Sequence, residues 1–228
     1  MQYNSVILVR FAFSTLNRKG DKNMLKKILN NCAKPEGIWG EIIVNFMNKG
    51  HKPMAKWGIS HLKFKSDDII LDAGCGGGAN ISVFLDICPH GKIYGIDYSQ
   101  ISVKKAKEIN REAIIARRCE IIEGNVLILP YEDNFFDKVT AFETVYFWPE
   151  IEKTFRGIYK VIKPDGTFLV CLEAEKEAAQ KWAKRIDGMN AYSHEEIERL
   201  MTRVGFRNVC TYLNNNWGCT WCCIVGTK

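Results

Sequence analysis

The sequence predicts an α/β protein built on a doubly wound, mostly parallel sheet of seven strands. Three observations lead there. Short apolar runs alternate with longer helical stretches from residue 69 onward, the pattern of a parallel sheet covered on both faces. A glycine-rich turn, Gly74 to Gly78, joins the first of these runs to a helix. The last two runs are separated only by Asn214-Asn215-Asn216, a link that suits a hairpin and makes the final strand antiparallel.

The elements follow in order. Ile69-Ile70-Leu71 reads as a buried strand ending in Asp72, and Ala79 to Cys88 as a helix. Lys92 to Asp97 is a second strand, and Ser99 caps a helix running to Ile115. Cys119 to Glu123 and Asp137 to Phe142 are the third and fourth strands. A helix from Ile151 to Ile162 stops before Pro164, where Pro164-Asp165-Gly166 turns into a fifth strand, Thr167 to Leu172. Ser193 caps a helix that Gly205 ends, and Val209 to Leu213 and Trp217 to Val225 complete the sheet. Residues 21–66 read as a helical, Gly-broken cap, residues 67–228 as the main domain, and residues 1–20 as a disordered leader with weak transit-peptide character.

Composition narrows the class. With 228 residues, 46% apolar and 25% charged, the chain has the proportions of a globular protein with one large core. No apolar run is long enough to span a membrane. Nine cysteines, an odd number mostly inside apolar runs, read as free thiols in a reducing compartment, which predicts a cytoplasmic protein. Cys219, Cys222 and Cys223 have no second ligand pair at zinc spacing, so no metal site is expected. Residues 1–68 carry 12 basic and 5 acidic side chains, whereas residues 69–228 carry 20 and 21, so the whole excess of +6 originates in the first third. A solvated face is the favoured reading of that bias, and a nucleic-acid partner the least favoured.

The strongest chemical signal is Leu71-Asp72-Ala73-Gly74-Cys75-Gly76-Gly77-Gly78-Ala79, a strand feeding a Gly-rich turn that opens a helix. Glycines let a ligand approach the backbone, and in open α/β sheets ligands bind past the carboxyl ends of the strands. Asp97, 25 positions beyond Asp72, ends the second strand and suits the two hydroxyls of a ribose. Gly74-x-Gly76-x-x-Ala79 also meets the loose dinucleotide fingerprint. Asp72, directly before the glycines, would repel a pyrophosphate and tolerate a sulfonium-bearing amino acid.

These residues resemble the class I S-adenosylmethionine-dependent methyltransferases, in particular the small-molecule branch with quinone-biosynthesis and sterol-type enzymes. Asp72 to Gly78 looks like the family's first motif, Asp97-Tyr98 its second and Gly124-Asn125-Val126 its third. Leu129-Pro130-Tyr131 through Asp137, Lys163-Pro164-Asp165-Gly166-Thr167 and Gly205-Phe206 resemble the approaches to its fourth, fifth and sixth strands. The resemblance covers about residues 60–228 and implies strand order 3-2-1-4-5-7-6. It also implies that Gly74, Cys75 and Gly76 pass the methionine portion of the cofactor, that Asp97 holds the ribose, and that Tyr98, Asn125 and Val126 frame the adenine. Asp72 would orient the loop or meet the amino group. Asn125 departs from the frequent Asp, leaving an amide acceptor without charge.

The expected activity is in-line transfer of a methyl group from S-adenosylmethionine to a small organic acceptor, leaving S-adenosylhomocysteine. The competing readings are an RNA methyltransferase, an NAD-dependent oxidoreductase and a non-catalytic cofactor-binding protein. The Asn/Asp-Pro-Pro-Tyr motif and a Pro-Cys or Thr-Cys nucleophile are absent, which lowers the RNA reading, and no Tyr-x-x-x-Lys pair lies within one predicted helix, as the oxidoreductase would need. Glu143 and His51 are the candidate general bases, with a cofactor amino-group contact favoured for Glu143 and a capping-turn role for His194. Of Tyr146, Phe147 and Trp148, at least one should face the cleft; Tyr146 and Trp148 are the expected acceptor-binding residues. Trp39 and Trp57 could form a lid.

Overall fold

The computed structural model describes residues 22–173, 176–216 and 219–228. Three helices precede the sheet: α1 (Lys22–Ala33), α2 (Gly37–Gly50) and α3 (Lys52–Ile59). Then follow β1 (Ile69–Ala73), α4 (Ala79–Ile87), β2 (Lys92–Asp97), α5 (Gln100–Ile109), α6 (Arg111–Ile115), β3 (Cys119–Glu123) and β4 (Phe136–Phe142). A 3₁₀ turn (Val145–Phe147) leads to α7 (Ile151–Val161), β5 (Ile162–Glu173), α8 (Lys176–Ala183), α9 (His194–Val204), β6 (Arg207–Asn216) and β7 (Cys219–Thr227).

The seven strands form one sheet in the order β3-β2-β1-β4-β5-β7-β6. The pairs among β3, β2, β1, β4 and β5 are parallel. β7 runs antiparallel to both β5 and β6. Fold class, strand order and the antiparallel final strand are as the sequence predicts. The turn of the last hairpin lies outside the described residues.

The near-continuous apolar runs of the strands bury both faces of the sheet. One face packs Leu71, Val139, Phe168 and Ile224 with α7 and α9 (Phe155, Ile158, Ile197, Met201). The other packs Ile70, Ile93, Leu169 and Cys223 with α3, α4 and α5 (Met54, Ile59, Phe84, Val103). Cys222 and Cys223 fall on opposite faces, as strand alternation requires.

Three local readings change. The helix expected from Ser99 to Ile115 divides at Asn110, whose side-chain amide donates to the Ala106 carbonyl (2.9 Å) and to Gly78 (3.1 Å). That amide exchanges helix continuity for a tie to the Gly-rich turn. β5 starts earlier than its apolar run suggests, because Ile162 already pairs with Phe136 of β4, and β6 is longer because Asn214, Asn215 and Asn216, read as the link, pair with β7. α8 was not foreseen. The caps behave as read: Ser99 accepts from the Ser102 N–H, and Ser193 forms a reciprocal capping box with Glu196.

At the amino ends of the strands, opposite the cleft described below, Lys138 on β4 meets Asp68 at 2.6 Å, both buried. Asp68 also accepts from the Lys65 N–H at 2.9 Å. Removing one partner strands the other charge away from water. Lys138→Met should therefore cost about 3–5 kcal/mol, read as a lowered urea midpoint. A loss below about 1 kcal/mol would mean that solvent already reaches Asp68.

Candidate active site

A cleft opens at the carboxyl ends of β1, β2 and β4, between the Gly-rich turn and the helices that precede the sheet. Its floor is the Gly-rich turn. Gly74, Gly76 and Gly78 all take left-handed φ angles (75°, 50° and 76°), which bends the chain sharply from β1 into α4. The Gly74 and Cys75 N–H groups donate to the Ile96 carbonyl at 2.8 and 3.1 Å. The Gly76 N–H donates to Asp97 Oδ2 at 2.9 Å, and the Ser99 N–H to Asp97 Oδ1 at 2.9 Å. The turn is thus stapled to the end of β2.

Two of these glycines face different surroundings. A Cβ on Gly74 would run into the Thr144 side chain, whereas one on Gly76 would meet nothing within 4 Å. Gly74 therefore serves close packing against the segment after β4, and Gly76 leaves open space in the cleft wall. α4 has no side-chain cap, and its first turn supplies Ala79 and Asn80 to that wall. An uncapped helix N-terminus suits an anionic group such as a carboxylate.

Among the expected site residues, Gly74, Cys75, Gly76, Asp97, Tyr98, Glu143 and His51 all line this one cleft. Asp72 does not. It lies beneath the turn, 1% exposed, where the Thr140 hydroxyl donates to Oδ1 at 2.8 Å. Burial raises its carboxyl to about 7 against the Thr140 bond, which fits orienting the loop rather than meeting a ligand. Asn125 turns its amide oxygen to the Leu127 N–H at 2.9 Å, and Val126 is buried in the core; neither lines the cleft.

The aromatic run after β4 divides differently from expectation. Phe147 lines the cleft, while Tyr146 and Trp148 are 4% and 3% exposed and do not. Trp148 packs on Phe155 and Phe168 and donates from Nε1 to Thr144 at 3.1 Å. The 3₁₀ turn causes this, because it replaces strand alternation with a tight rotation that points Phe147 alone outward. Trp57 packs against Trp221 and His61 over the sheet rather than over the cleft. The Trp39 side chain lies outside the described residues. His194 pairs with Glu195 at 3.2 Å, away from the cleft.

The helices ahead of the sheet supply what the motifs do not. Val44, Met47 and Asn48 of α2 line the cleft opposite the glycines, and the Asn48 amide donates to the Gly77 carbonyl at 3.2 Å. Cys32, Ala33 and Pro35 close the side near Tyr98. The Tyr98 hydroxyl donates to the Ala33 carbonyl, and the Ser99 hydroxyl to Pro35 at 3.0 Å. Further along α1, Asn30 exchanges two hydrogen bonds with Asp187 (3.0 and 3.1 Å), and Lys26 pairs with the same carboxylate at 3.0 Å. Nearby, the Asn190 N–H donates to the Tyr146 carbonyl at 2.8 Å. α1 thus reaches from the end of β2 to the segment beside the turn after β4.

Two titratable groups of the cleft have shifted pKa values with opposite signs. Burial lowers His51 to about 4, so its imidazole is neutral at pH 7 and a weak proton acceptor. Burial raises Glu143 to about 8, the Glu173 carboxylate adds to the rise, and hydrogen bonds from the Glu173 N–H and Tyr146 hydroxyl oppose it. Glu143 also holds a left-handed φ of 55°, an uncommon conformation for a residue with a Cβ.

The sequence model of a family described as "methyltransferase domain" matches residues 64–214, about two thirds of the chain. The chain belongs to this family. The methyltransferase domain carries the Gly-rich turn, Asp97 and Glu143, while α1 to α3 lie ahead of the matched residues. Curated relatives include 24-methylenesterol C-methyltransferase 3 of Arabidopsis thaliana, 32% identical over 121 residues that span 52% of this chain and 32% of that protein. Demethylmenaquinone methyltransferase of Oceanobacillus iheyensis is 30% identical over 135 residues, 59% of this chain and 55% of that protein. The chain thus spans about a third to a half of these relatives' lengths. Among solved structures, a SAM-dependent methyltransferase from Aquifex aeolicus superposes with TM-score 0.65 at 17% identity, covering 82% of this chain and 97% of that one. Phosphoethanolamine N-methyltransferase 2 of Haemonchus contortus, solved with S-adenosyl-L-methionine, gives TM-score 0.65 at 14% identity, covering 80% and 57%. These structures share the fold.

The two glycines give a stability test of the methyltransferase domain. Gly76→Ala should cost about 1–2 kcal/mol for its left-handed backbone. Gly74→Ala should cost more, by a further ~1–3 kcal/mol, because its Cβ overpacks against Thr144. Urea denaturation of both variants measures the order, and equal losses would show that Thr144 moves aside freely.

Proposed function

We propose that this protein transfers the methyl group of S-adenosylmethionine to a small organic acceptor bound under the cap. The observation that carries the reading is the staple between the Gly-rich turn and Asp97, which puts a carboxylate and the open backbone of Gly76 on one cleft. The chemistry of the cleft fits the cofactor. Asp97 keeps lone pairs for a ribose diol beyond the two N–H groups it already accepts. Tyr98 stands at the adenine end, the first turn of α4 faces the carboxylate of the methionine portion, and Glu143 faces its ammonium. With this placement, Asn125 and Val126 act from below by shaping the turn after β3.

When bound, S-adenosylmethionine supplies an electrophilic methyl group on a sulfonium. The chain's residues would hold the acceptor in line with it and exclude water. Val44, Met47, Phe142 and Phe147 give the acceptor side an apolar wall, suited to a flat or apolar molecule. His51 is too weak a base at neutral pH to drive removal of a proton from a phenol or alcohol, and would instead orient the acceptor by hydrogen bonding. The relatives named above act on a sterol and on demethylmenaquinone, and an apolar acceptor of that general kind suits this wall.

Residues 21–66 act in this reading as a cap over the main domain, with α1 as its bar across the mouth. Its tie to Asp187 is solvent-exposed, so it is weak enough to open on each turnover.

Calorimetric titration with S-adenosylhomocysteine and with NAD tests the assignment. Saturable binding of the first alone, lost by at least ~10-fold in Asp97→Ala, is the expected result. Binding of NAD alone would sink the methyltransferase reading. Asp187→Ala should speed S-adenosylhomocysteine release by about 3–10-fold in stopped-flow displacement, the worth of one or two exposed polar contacts. An unchanged release rate would show that the ligand leaves without moving α1.

A further inference from the structure

Tyr146 is buried, yet its hydroxyl is the most heavily engaged polar atom of the turn after β4. It donates within reach of Glu143 Oε1 (3.2 Å) and of the Glu173 carbonyl (3.3 Å), and it accepts from the Glu173 N–H (3.0 Å). The same N–H reaches Glu143 Oε1 at 2.8 Å. The other end of Tyr146 is fixed as well, since its carbonyl accepts from the Asn190 N–H at 2.8 Å. Every one of these contacts converges on one oxygen of Glu143 or on the segment that holds it. The Glu143 backbone N–H is likewise tied to β5, donating to the Cys171 carbonyl at 2.9 Å. One carboxylate oxygen is thus anchored toward β5, and the residue's left-handed backbone sets its side chain against the cleft wall.

We infer that Tyr146 is a positioning residue: its hydroxyl holds Glu143 so that the second carboxylate oxygen meets the ammonium group of the ligand's amino-acid portion, and binding of that ligand expels a proton from the cleft. This rests on the proposed cofactor reading, because it takes the ligand to be a zwitterionic amino-acid derivative. It departs from an acceptor-binding role for Tyr146.

The proton follows from the surroundings of Glu143. The groups facing it are the Glu173 carboxylate on β5, the Tyr146 hydroxyl, and the thiols of Cys171 on β5 and Cys222 on β7. His51 also lines the cleft and is neutral at pH 7. None of these is a cation at neutral pH. Burial then raises Glu143 to about 8, so without ligand it is mostly protonated at pH 7. An ammonium beside it favours the ionised form and lowers its affinity for the proton. Binding at pH 7 therefore releases a proton to the buffer, and affinity rises with pH until the free protein's carboxyl is itself ionised. The Tyr146 hydrogen bond favours the ionised form, so losing it pushes the titration of the free protein upward.

The experiment is calorimetric titration of the full chain with S-adenosylhomocysteine at pH 7 in buffers of different ionisation enthalpy. The wild type should release up to about one proton per ligand. Glu143→Gln should release none from this site. Tyr146→Phe should bind about 3–10-fold more weakly at pH 7, with the pH midpoint of its affinity moved upward. A role in packing alone would weaken binding without moving that midpoint. Should Tyr146→Phe fail to fold, Glu143→Asp replaces it, since the shorter side chain withdraws the carboxylate from the hydroxyl and keeps the charge; an unmoved midpoint there counts equally against the proposal.

The outcomes separate. Binding with no proton release, unchanged in Glu143→Gln, overturns the contact between Glu143 and the ammonium and the inference with it, while leaving the cofactor assignment standing. Proton release that Glu143→Gln abolishes and Tyr146→Phe leaves at the wild-type midpoint overturns the role of Tyr146 alone. No binding of S-adenosylhomocysteine, with Asp97→Ala equally silent, counts against the cofactor reading on which both depend.

Discussion

The contact between the Gly76 N–H and the Asp97 carboxylate is the constraint from which the site follows. β1 and β2 are neighbours in a parallel ladder, so their carboxyl ends lie side by side. The chain leaving β1 must turn at once to start α4, and the carboxylate at the end of β2 takes up the N–H that this turn would otherwise leave unpaired. Binding surface and fold are therefore one structure. Three left-handed glycines make the turn, Ile96 and Asp97 pin it, and the open side at Gly76 is left for a ligand. Asp72 and Asn110 support the same turn from below and behind, the first through Thr140 and the second through Gly78.

The parallel sheet was legible because its strands are short, apolar on both faces and separated by helices with ordinary caps. The Gly-rich turn, Asp97 and Glu143 were legible for a related reason: they sit at strand ends, where position along the chain fixes position in space. Residues beyond a strand end are harder to read. Tyr146, Phe147 and Trp148 looked like candidates for an alternating strand, but a single 3₁₀ turn reverses which of them faces the cleft. The contribution of α2 was harder still. Nothing in Val44, Met47 and Asn48 distinguishes an amphipathic helix covering a site from one covering a core, because both bury an apolar stripe. His51 was found only because Lys49-Gly50-His51 interrupts that helix.

The cap and the turn after β4 are mechanically connected through residues with no evident motif. Asp187 holds α1, and three residues later Asn190 holds the carbonyl of Tyr146. These contacts differ in kind. Those around Asp187 are exposed and screened by solvent, so each is worth little and opens readily. Those around Tyr146 are buried, and a buried polar network costs free energy when any member is left unpaired. On the proposed reading of these helices as a cap, the cover would move while the wall beneath it stays fixed, a division of labour suited to a site that must admit a ligand and then hold it in one orientation.

Electrostatics give the cleft its preference. Asp72, Asp97 and Glu143 are all raised from their ordinary values, with burial the largest cause at each. No lysine or arginine among the described residues contributes to any of the three shifts. A fold that retained these groups for stability would pair them, as it pairs Asp68 with Lys138 at the far end of the same strands. The sheet thus carries compensated charge at its amino end and uncompensated carboxyls at its carboxyl end. That asymmetry favours a ligand that brings positive charge and draws these carboxyls into their ionised form, such as a sulfonium with an ammonium. In the proposed reaction the sulfonium charge is lost on methyl transfer and the ammonium remains, so the product would engage fewer of these groups than the substrate.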